Sequence, residues 1–256
     1  MSIPTRWQSA ILDALGQSGR ASIAELAQKL DVSDETVRRH VRALVDQGAL
    51  ERVHGAVVLP QAASEPPFSR RMKERVGAKQ AIAMAVASLI DDGMTILIDS
   101  GSTTAYVARA LLKKRDLTVV TNSIAIAHTL VGRREHQVYL AGGSIRGDIA
   151  ASVGPEAHDL ISEFRGDIAI LSIGSVDAID GYKDFDVDEA RIARAMIERS
   201  NRVVVAADGC KYGARAPVRI CGFEAVNDFV TEAAPPADLA ERMGAAGTQV
   251  RIAVVA

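Results

Sequence analysis

Two groups of residues carry the polar chemistry of this chain. The first is Ser33, Glu35, Thr36, Arg38, Arg39 and Arg42. Arginine forks onto guanine or pairs with phosphate, and hydroxyls bond either bases or backbone. At about 100° per residue, Val37, Val41, Leu44 and Val45 fall on one apolar stripe, while Glu35, Thr36, Arg39 and Arg42 point the other way with Arg38 on the flank. The spacing predicts a helix packed by one side and presenting its polar side to the major groove of duplex DNA. Three arginines alone would more often be a solvated helix face. Their setting among two short helices, a tight turn and a wing favours nucleic acid.

The second group recurs at the ends of apolar runs. Asp99-Ser100-Gly101-Ser102-Thr103-Thr104 follows one run and opens a helical pattern. Gly101 lets a ligand approach the backbone, the hydroxyls bond it, and a helix N-terminus favours an anion. It is neither a Walker A loop nor a dinucleotide fingerprint, since the required glycines and lysine are missing. Asn122, Gly142, Gly143, Arg146, Asp177, Glu189 and Lys211 stand at or near further run ends. Arginine or lysine neutralises phosphate, and Asn, Asp or Glu accept from hydroxyls. Each alone is a turn or cap residue; together they point to one shared pocket.

The elements that must position these residues are legible. Ser22 and Glu25 fit a capping box, followed by an apolar stripe to Leu30. Asp31-Val32 makes a turn and Ser33 caps the next helix. Leu50–Val53 and Ala56–Leu59 read as a hairpin turned at His54-Gly55, a wing able to bring Arg52 and His54 to the DNA backbone or minor groove. His54 by itself is more a turn residue than a base reader. Residues 1–59 are therefore expected to form one domain and residues 60–76, with Pro66-Pro67, a linker; a basic run (Arg70, Arg71, Lys73, Arg75, Lys79) follows the prolines. In 77–256 the expected strands are Thr95–Asp99, Leu117–Thr121, Gln137–Ala141, Asp167–Ile173, Arg202–Ala207, Val226–Thr231 and Gln249–Val255. Helical patterns over 78–90, 104–114, 123–131, 156–164, 187–200 and 237–245 separate most of them. Such alternation predicts an α/β domain with a mainly parallel sheet, whose ligands collect at the carboxyl ends of strands.

Composition sets bounds. Net charge is −2, hydrophobic residues make up 48% and charged residues 24%, as in a globular chain rather than a basic nucleic-acid coat. The run Ala81–Ile90 is too short to span a bilayer, and no signal-peptide pattern opens the chain, so no membrane partner and a cytoplasmic setting are expected. The two cysteines make no disulfide framework. His128, His136 and His158 are scattered, so neither a metal nor a cofactor is expected.

Val32 through Leu44, followed by Gly48 through Ala56, resembles the DeoR-type winged helix-turn-helix, with His40 at a commonly acidic position and Ala56 at a second glycine. The Ser100–Thr104 loop, Thr121-Asn122-Ser123, Gly142-Gly143, Asp180-Gly181, Glu189-Ala190 and Asp208–Gly213 resemble the sensor domain of the same family, with Ser102 in place of the commoner Thr and Gly209-Cys210 in place of a His/Ser-like pair. Ile161–Arg165, Asp184-Phe185-Asp186 and Thr231–Pro236 resemble the branch that governs the glycerol 3-phosphate regulon. The resemblance implies a sensor fold similar to ribose-5-phosphate isomerase. It also implies a double-stranded DNA operator, a phosphorylated sugar or polyol effector, homo-oligomers on symmetric sites and no catalytic residues. The competing expectation is a sugar-phosphate isomerase-like enzyme, with Asp177, Asp180, Glu189 and Lys211 as acid/base groups.

Overall fold

A computed structural model describes residues 6–18, 20–46, 49–53, 56–58 and 65–255. The chain divides into two compact units, residues 1–63 and 64–256.

The first unit contains α1 (Arg6–Ser18), β1 (Arg20–Ser22), α2 (Ile23–Leu30), α3 (Asp34–Asp46), β2 (Glu51–Val53) and β3 (Ala56–Val58). The Ser22 hydroxyl accepts from the Glu25 amide at 3.2 Å, and the Glu25 carboxylate accepts from the Ser22 amide at 2.7 Å. That reciprocal pair satisfies two orphan donors and starts α2. Asp31 ends it in the left-handed region, φ 52°, a conformation short polar side chains tolerate. Ser33 then accepts from the Thr36 amide at 3.3 Å and opens α3. Ile11, Leu15, Leu26, Val37, Val41, Leu44, Leu50 and Val57 are buried together, so the apolar stripes of both helices meet as their spacing requires. β3 pairs antiparallel with β2 and, on its other edge, with β1. Three residues of β1 are too few to show a strand period, and the sequence did not predict it.

The second unit holds α4 (Phe68–Arg71), α5 (Val76–Ala87), β4 (Thr95–Ile98), α6 (Ser102–Leu111), β5 (Thr118–Thr121), α7 (Ile124–Leu130) and β6 (Gln137–Leu140). There follow β7 (Ser144–Arg146), β8 (Ala151–Val153), α8 (Pro155–Ser162), β9 (Gly166–Leu171), β10 (Ser175–Asp177), β11 (Gly181–Asp184) and α9 (Val187–Glu198). The chain continues with β12 (Ser200–Ala206), β13 (Val218–Cys221), β14 (Asp228–Thr231), α10 (Ala237–Ala245) and β15 (Gln249–Ile252). Seven strands form one sheet, ordered β15-β14-β12-β9-β4-β5-β6, and every pairing in it is parallel. All seven expected strands are in it. Leu97, Ala169, Val203 and Phe229 pack on one face with α8, α9 and α10. Ile96, Ile98, Val119 and Ile168 pack on the other with α5, α6 and α7. Burial on both faces explains the nearly continuous apolar runs.

The order places a switch between β4 and β9. From β4 the chain steps to β5 and β6 on one side, then returns to β9 on the other. In open α/β sheets such a switch is where ligands bind, above the carboxyl ends of the strands. At the amino end of β14, Asp228 is buried and accepts from Arg202 of β12 at 2.7 Å and Arg251 of β15 at 2.6 Å. Burial would raise this carboxyl, but the two guanidinium bonds hold it below its ordinary range.

Smaller pieces escaped the sequence reading: the β7–β8 hairpin and the antiparallel sheet β10-β11-β13. The expected linker 60–76 is also differently built. Residues 59–64 lie outside the described residues, but 65–76 belong to the second unit. Phe68, Met72 and Val76 pack on the core beside α5, and the Tyr106 hydroxyl donates to the Met72 carbonyl at 3.0 Å. The apolar residues spaced through the basic run are what draw it in.

Candidate functional site

The outer face of α3 presents Glu35, Arg38, Arg39 and Arg42 to solvent, with Thr36 half-buried. No ion pair among the described residues engages the three arginines. They line an open concavity with Asp46 of α3, Ile23 of α2, and Ala56 and Val57 of β3. Free guanidinium groups on a rigid helix suit an extended polyanion, because each neutralised phosphate releases counterions. The Ser33 hydroxyl lies 3.0 Å from that of Thr36, so it is committed to the helix start. Arg52 lies in β2 opposite Val57, but its side chain is outside the described part. His54 is outside the described residues.

In the second unit, the loop after β4 sits at the switch point. Both carboxylate oxygens of Asp99 accept from the Ser172 amide, each at 2.9 Å, which ties the carboxyl ends of β4 and β9 together. Ser100, Ser102, Thr103 and Thr104 are buried. The Thr104 hydroxyl donates to the carbonyls of Asp99 (2.9 Å) and Gly101 (3.1 Å), so it shapes the loop. Gly101 has extended backbone, φ −177°, open to any residue. It is glycine for space, since an added Cβ would come within 2.6 Å of the Ser172 Cβ. Gly101 is also the N-cap of α6, and no side chain caps that helix. Ser123 and Asp186 cap α7 and α9. The first-turn amides of α6 are thus open to an outside anion.

Asn122 is fully buried after β5. Its amide nitrogen donates to the Ser152 carbonyl at 3.0 Å, while its Oδ1 is buried without a partner among the described residues. A buried acceptor left open is a place for a ligand donor. Gly143 follows β6 with φ 114°, and an added Cβ would lie 2.7 Å from the Val153 carbonyl oxygen; it serves the turn into β7. Around Gly142 an added Cβ meets nothing.

Arg146 and Asp177, expected to face a ligand, are held by the protein itself. Arg146 binds Asp148 at 2.6 Å and Asp186 at 2.5 Å, and these bonds raise its pKa. Because Asp186 caps α9, Arg146 braces the helix that carries Glu189. Asp177 accepts from the amides of Ile179 and Asp180 at 2.9 Å and pairs with Lys183. It closes the β10–β11 turn.

The remaining residues meet in a charged cluster. Glu189 is pushed up to about 8 by burial, then by the neighbouring carboxyls of Asp184 and Glu65. Asp184 is raised to about 7 by burial and Glu65, with Lys211 and Arg71 pulling the other way. Burial also lifts Asp99 well above the carboxylate range, opposed by the Ser172 amide, and Asp184 and Glu189 add to the rise. Carboxyls this close titrate as a group rather than singly. A protonated carboxyl both donates to and accepts from a hydroxyl without repelling an anion. Lys211 lies here, paired to Glu65, and Arg71 binds Glu65 at 2.8 Å. Asp184, Glu65 and Arg71 were not among the expected site residues. Arg71 stood in the basic run, which was the available signal. Glu65 beside two prolines gave none.

The DeoR-like helix-turn-helix domain family matches residues 8–63, and the DeoR C-terminal sensor domain family matches residues 74–233. The chain is 36% identical to the transcriptional repressor CsqR of Escherichia coli over 91% of this chain and 89% of that one. It is 35% identical to the glycerol-3-phosphate regulon repressor of the same organism, covering 91% and 92%. The regulator GlpR of Haloferax volcanii is 31% identical over 97% of each chain. Among solved structures, ribose 5-phosphate isomerase A of Methanocaldococcus jannaschii aligns over 54% of each chain at 17% identity and a TM-score of 0.39, a likeness too slight to bear an argument. No helix among the described residues is long and apolar enough to cross a membrane. Family and relatives overturn the isomerase-like alternative: the chain belongs to the DeoR family of DNA-binding transcriptional repressors.

Proposed function

We propose that this repressor is relieved by a phosphorylated sugar or polyol, with glycerol 3-phosphate the first candidate, and that it controls genes of carbohydrate or glycerol catabolism from the cytoplasm. The effector phosphate sits on the uncapped start of α6, at Gly101, Ser102, Thr103 and Thr104, with Asp99 and Ser100 shaping the floor. Asn122 Oδ1 takes a ligand hydroxyl, and Glu189 and Asp184 take others. Lys211 supplies positive charge, and Gly142, Gly143, Arg146 and Asp177 form the rim. The observation that carries this reading is the open helix start beside a buried acceptor and the buried carboxyls of Asp99 and Asp184, a set that fits an anionic group joined to hydroxyl-bearing carbons. The name of one relative, the glycerol-3-phosphate regulon repressor, supports the choice of first candidate.

On the other unit, Arg38, Arg39, Arg42 and Thr36 read the operator, Glu35 limits which bases are accepted, and Ser33, Arg52 and His54 support backbone contacts. Homo-oligomers match symmetric half-sites. The effector acts by binding one state of the regulator better than the other. Operator shift assays with and without glycerol 3-phosphate and a panel of three- to six-carbon phosphates test the reading. The expected result is salt-sensitive binding released by one member of the panel. Salt-sensitive binding that no phosphorylated metabolite alters would sink the effector assignment.

A further inference from the structure

The cation pair Arg71 and Lys211 already holds an anion, and that anion is part of the chain. The Glu65 carboxylate bridges them, with Oε2 on Arg71 at 2.8 Å and Oε1 on Lys211. The three side chains are 13%, 11% and 17% exposed respectively. This is therefore a largely desolvated bridge, in contrast to the exposed Arg70–Glu74 pair one residue away, which carries little energy.

Arg71 is fixed before any ligand arrives. Its Nε donates to the Pro66 carbonyl at 2.9 Å, its amide donates to the Pro67 carbonyl at 3.1 Å, and its own carbonyl accepts from buried Lys79 at 2.5 Å. Lys211 is held at the other side by the turn that follows β12, which Asp208 caps through the Cys210 amide at 3.0 Å. A preorganised fork and a point charge, both bound to a carboxylate, are what anion recognition requires. The charges of Glu65 and Arg71 act on Asp184 and Glu189, so the bridge lies beside the carboxyls assigned above to the effector's hydroxyls.

We propose that Arg71 and Lys211 supply the cations that complete the phosphate site begun by the start of α6, and that Glu65 is a built-in competitor which a phosphomonoester dianion must displace. The proposal rests on the sensor-pocket reading above. One carboxylate carries a single negative charge against two positive ones. A dianion balances both, so the exchange favours phosphate esters over monoanions such as acetate, and uncharged polyols gain nothing from it.

The test is isothermal titration of the full chain with inorganic phosphate, glycerol 3-phosphate, the same panel of three- to six-carbon phosphates, acetate and glycerol. With its competitor removed, Glu65→Gln should bind phosphate and the preferred ester roughly tenfold more tightly or better, the scale of one charge-assisted contact. Acetate should gain less, and glycerol should not change. Glu65→Asp keeps the charge but is one methylene short of spanning both cations. It should fall between the two, and it carries the test if the Gln variant fails to fold. Arg70→Gln should bind as the unaltered chain does. If the unaltered chain binds a phosphate ester and the Glu65 variants bind it within about twofold, the competitor is refuted while the sensor reading stands. If no member of the set binds either the unaltered chain or the variants, the sensor reading falls and this proposal with it.

Discussion

The two units put their polar chemistry in opposite places. In the first, Arg38, Arg39 and Arg42 stand in solvent on a helix whose other side makes the core. In the second, Asp99, Asn122 and Asp184 are buried at strand ends, and Thr104 is buried in the first turn of α6, all bonded into the frame. An exposed arginine meets its partner only when the partner comes, so the fold scarcely depends on it. A buried strand-end residue is held by the same contacts that hold the sheet. Function and stability should therefore separate cleanly in the DNA-reading unit and be entangled in the sensor.

The largest effect tests the first half of that contrast. Arg39→Ala with Arg42→Ala should weaken operator binding about thirtyfold at least, at about 1–3 kcal/mol for each contact, and lower its salt slope. The melting temperature should hardly move, since exposed substitutions stay within about 0.5 kcal/mol. Unchanged sequence-selective binding, measured by anisotropy against salt, would remove α3 from the groove. A large loss of stability would break the contrast itself.

Gly101→Ala tests the second half. The new methyl meets Ser172, and overpacking of this kind costs about 1–3 kcal/mol. Thermal denaturation should show that loss, and operator release by the effector should fail while operator binding survives. A variant that melts normally and still answers the effector would show that the β4–α6 loop neither packs nor binds as described.

The smallest effect is a slope. Asp184 and Glu189 have folded pKa values raised to about 7 and about 8 from 3.8 and 4.5. Their contribution to stability is complete below the unfolded values and is lost as pH rises through the folded ones. The sensor's melting temperature should fall between about pH 5 and about pH 8, and Glu189→Gln should flatten that fall. Asp228, Asp186, Asp177 and Asp148 are depressed; their contribution is lost on the acid side, below this window. The lone tryptophan, Trp7 in α1, reports on the other unit, where its fluorescence should show no matching slope. An equal slope in the Trp7 signal would mean that the units do not unfold independently.

What was legible in the sequence follows from the same physics. The seven strands of the large sheet are buried on both faces, so their Val/Ile/Leu runs stand out. The capping box at Ser22 and the tight turn at Asp31-Val32 are local, and local chemistry is readable from spacing. β10, β11 and β13 are three or four residues long and include Gly181, Lys183 and Arg219, which mask any alternation. The candidate pocket was harder. Strand ends named Asp99, Gly101, Asn122 and Lys211, but Arg146 and Asp177 carry the same residue types and turn out to be tied to Asp186 and Lys183. Residue type does not say which partner wins. Glu65 and Lys211 are 146 positions apart, and no spacing rule connects them.

The clasp of Arg202, Asp228 and Arg251 lies at the rim opposite the Gly101 loop, because parallel strands send all their amino ends the same way. Its three strands stay fastened whatever the other rim is lined with. The scaffold can then be re-lined for a different inducer without rebuilding its foundation. A selection for altered inducer taste should collect its changes among the loops above the sheet and leave those three residues alone.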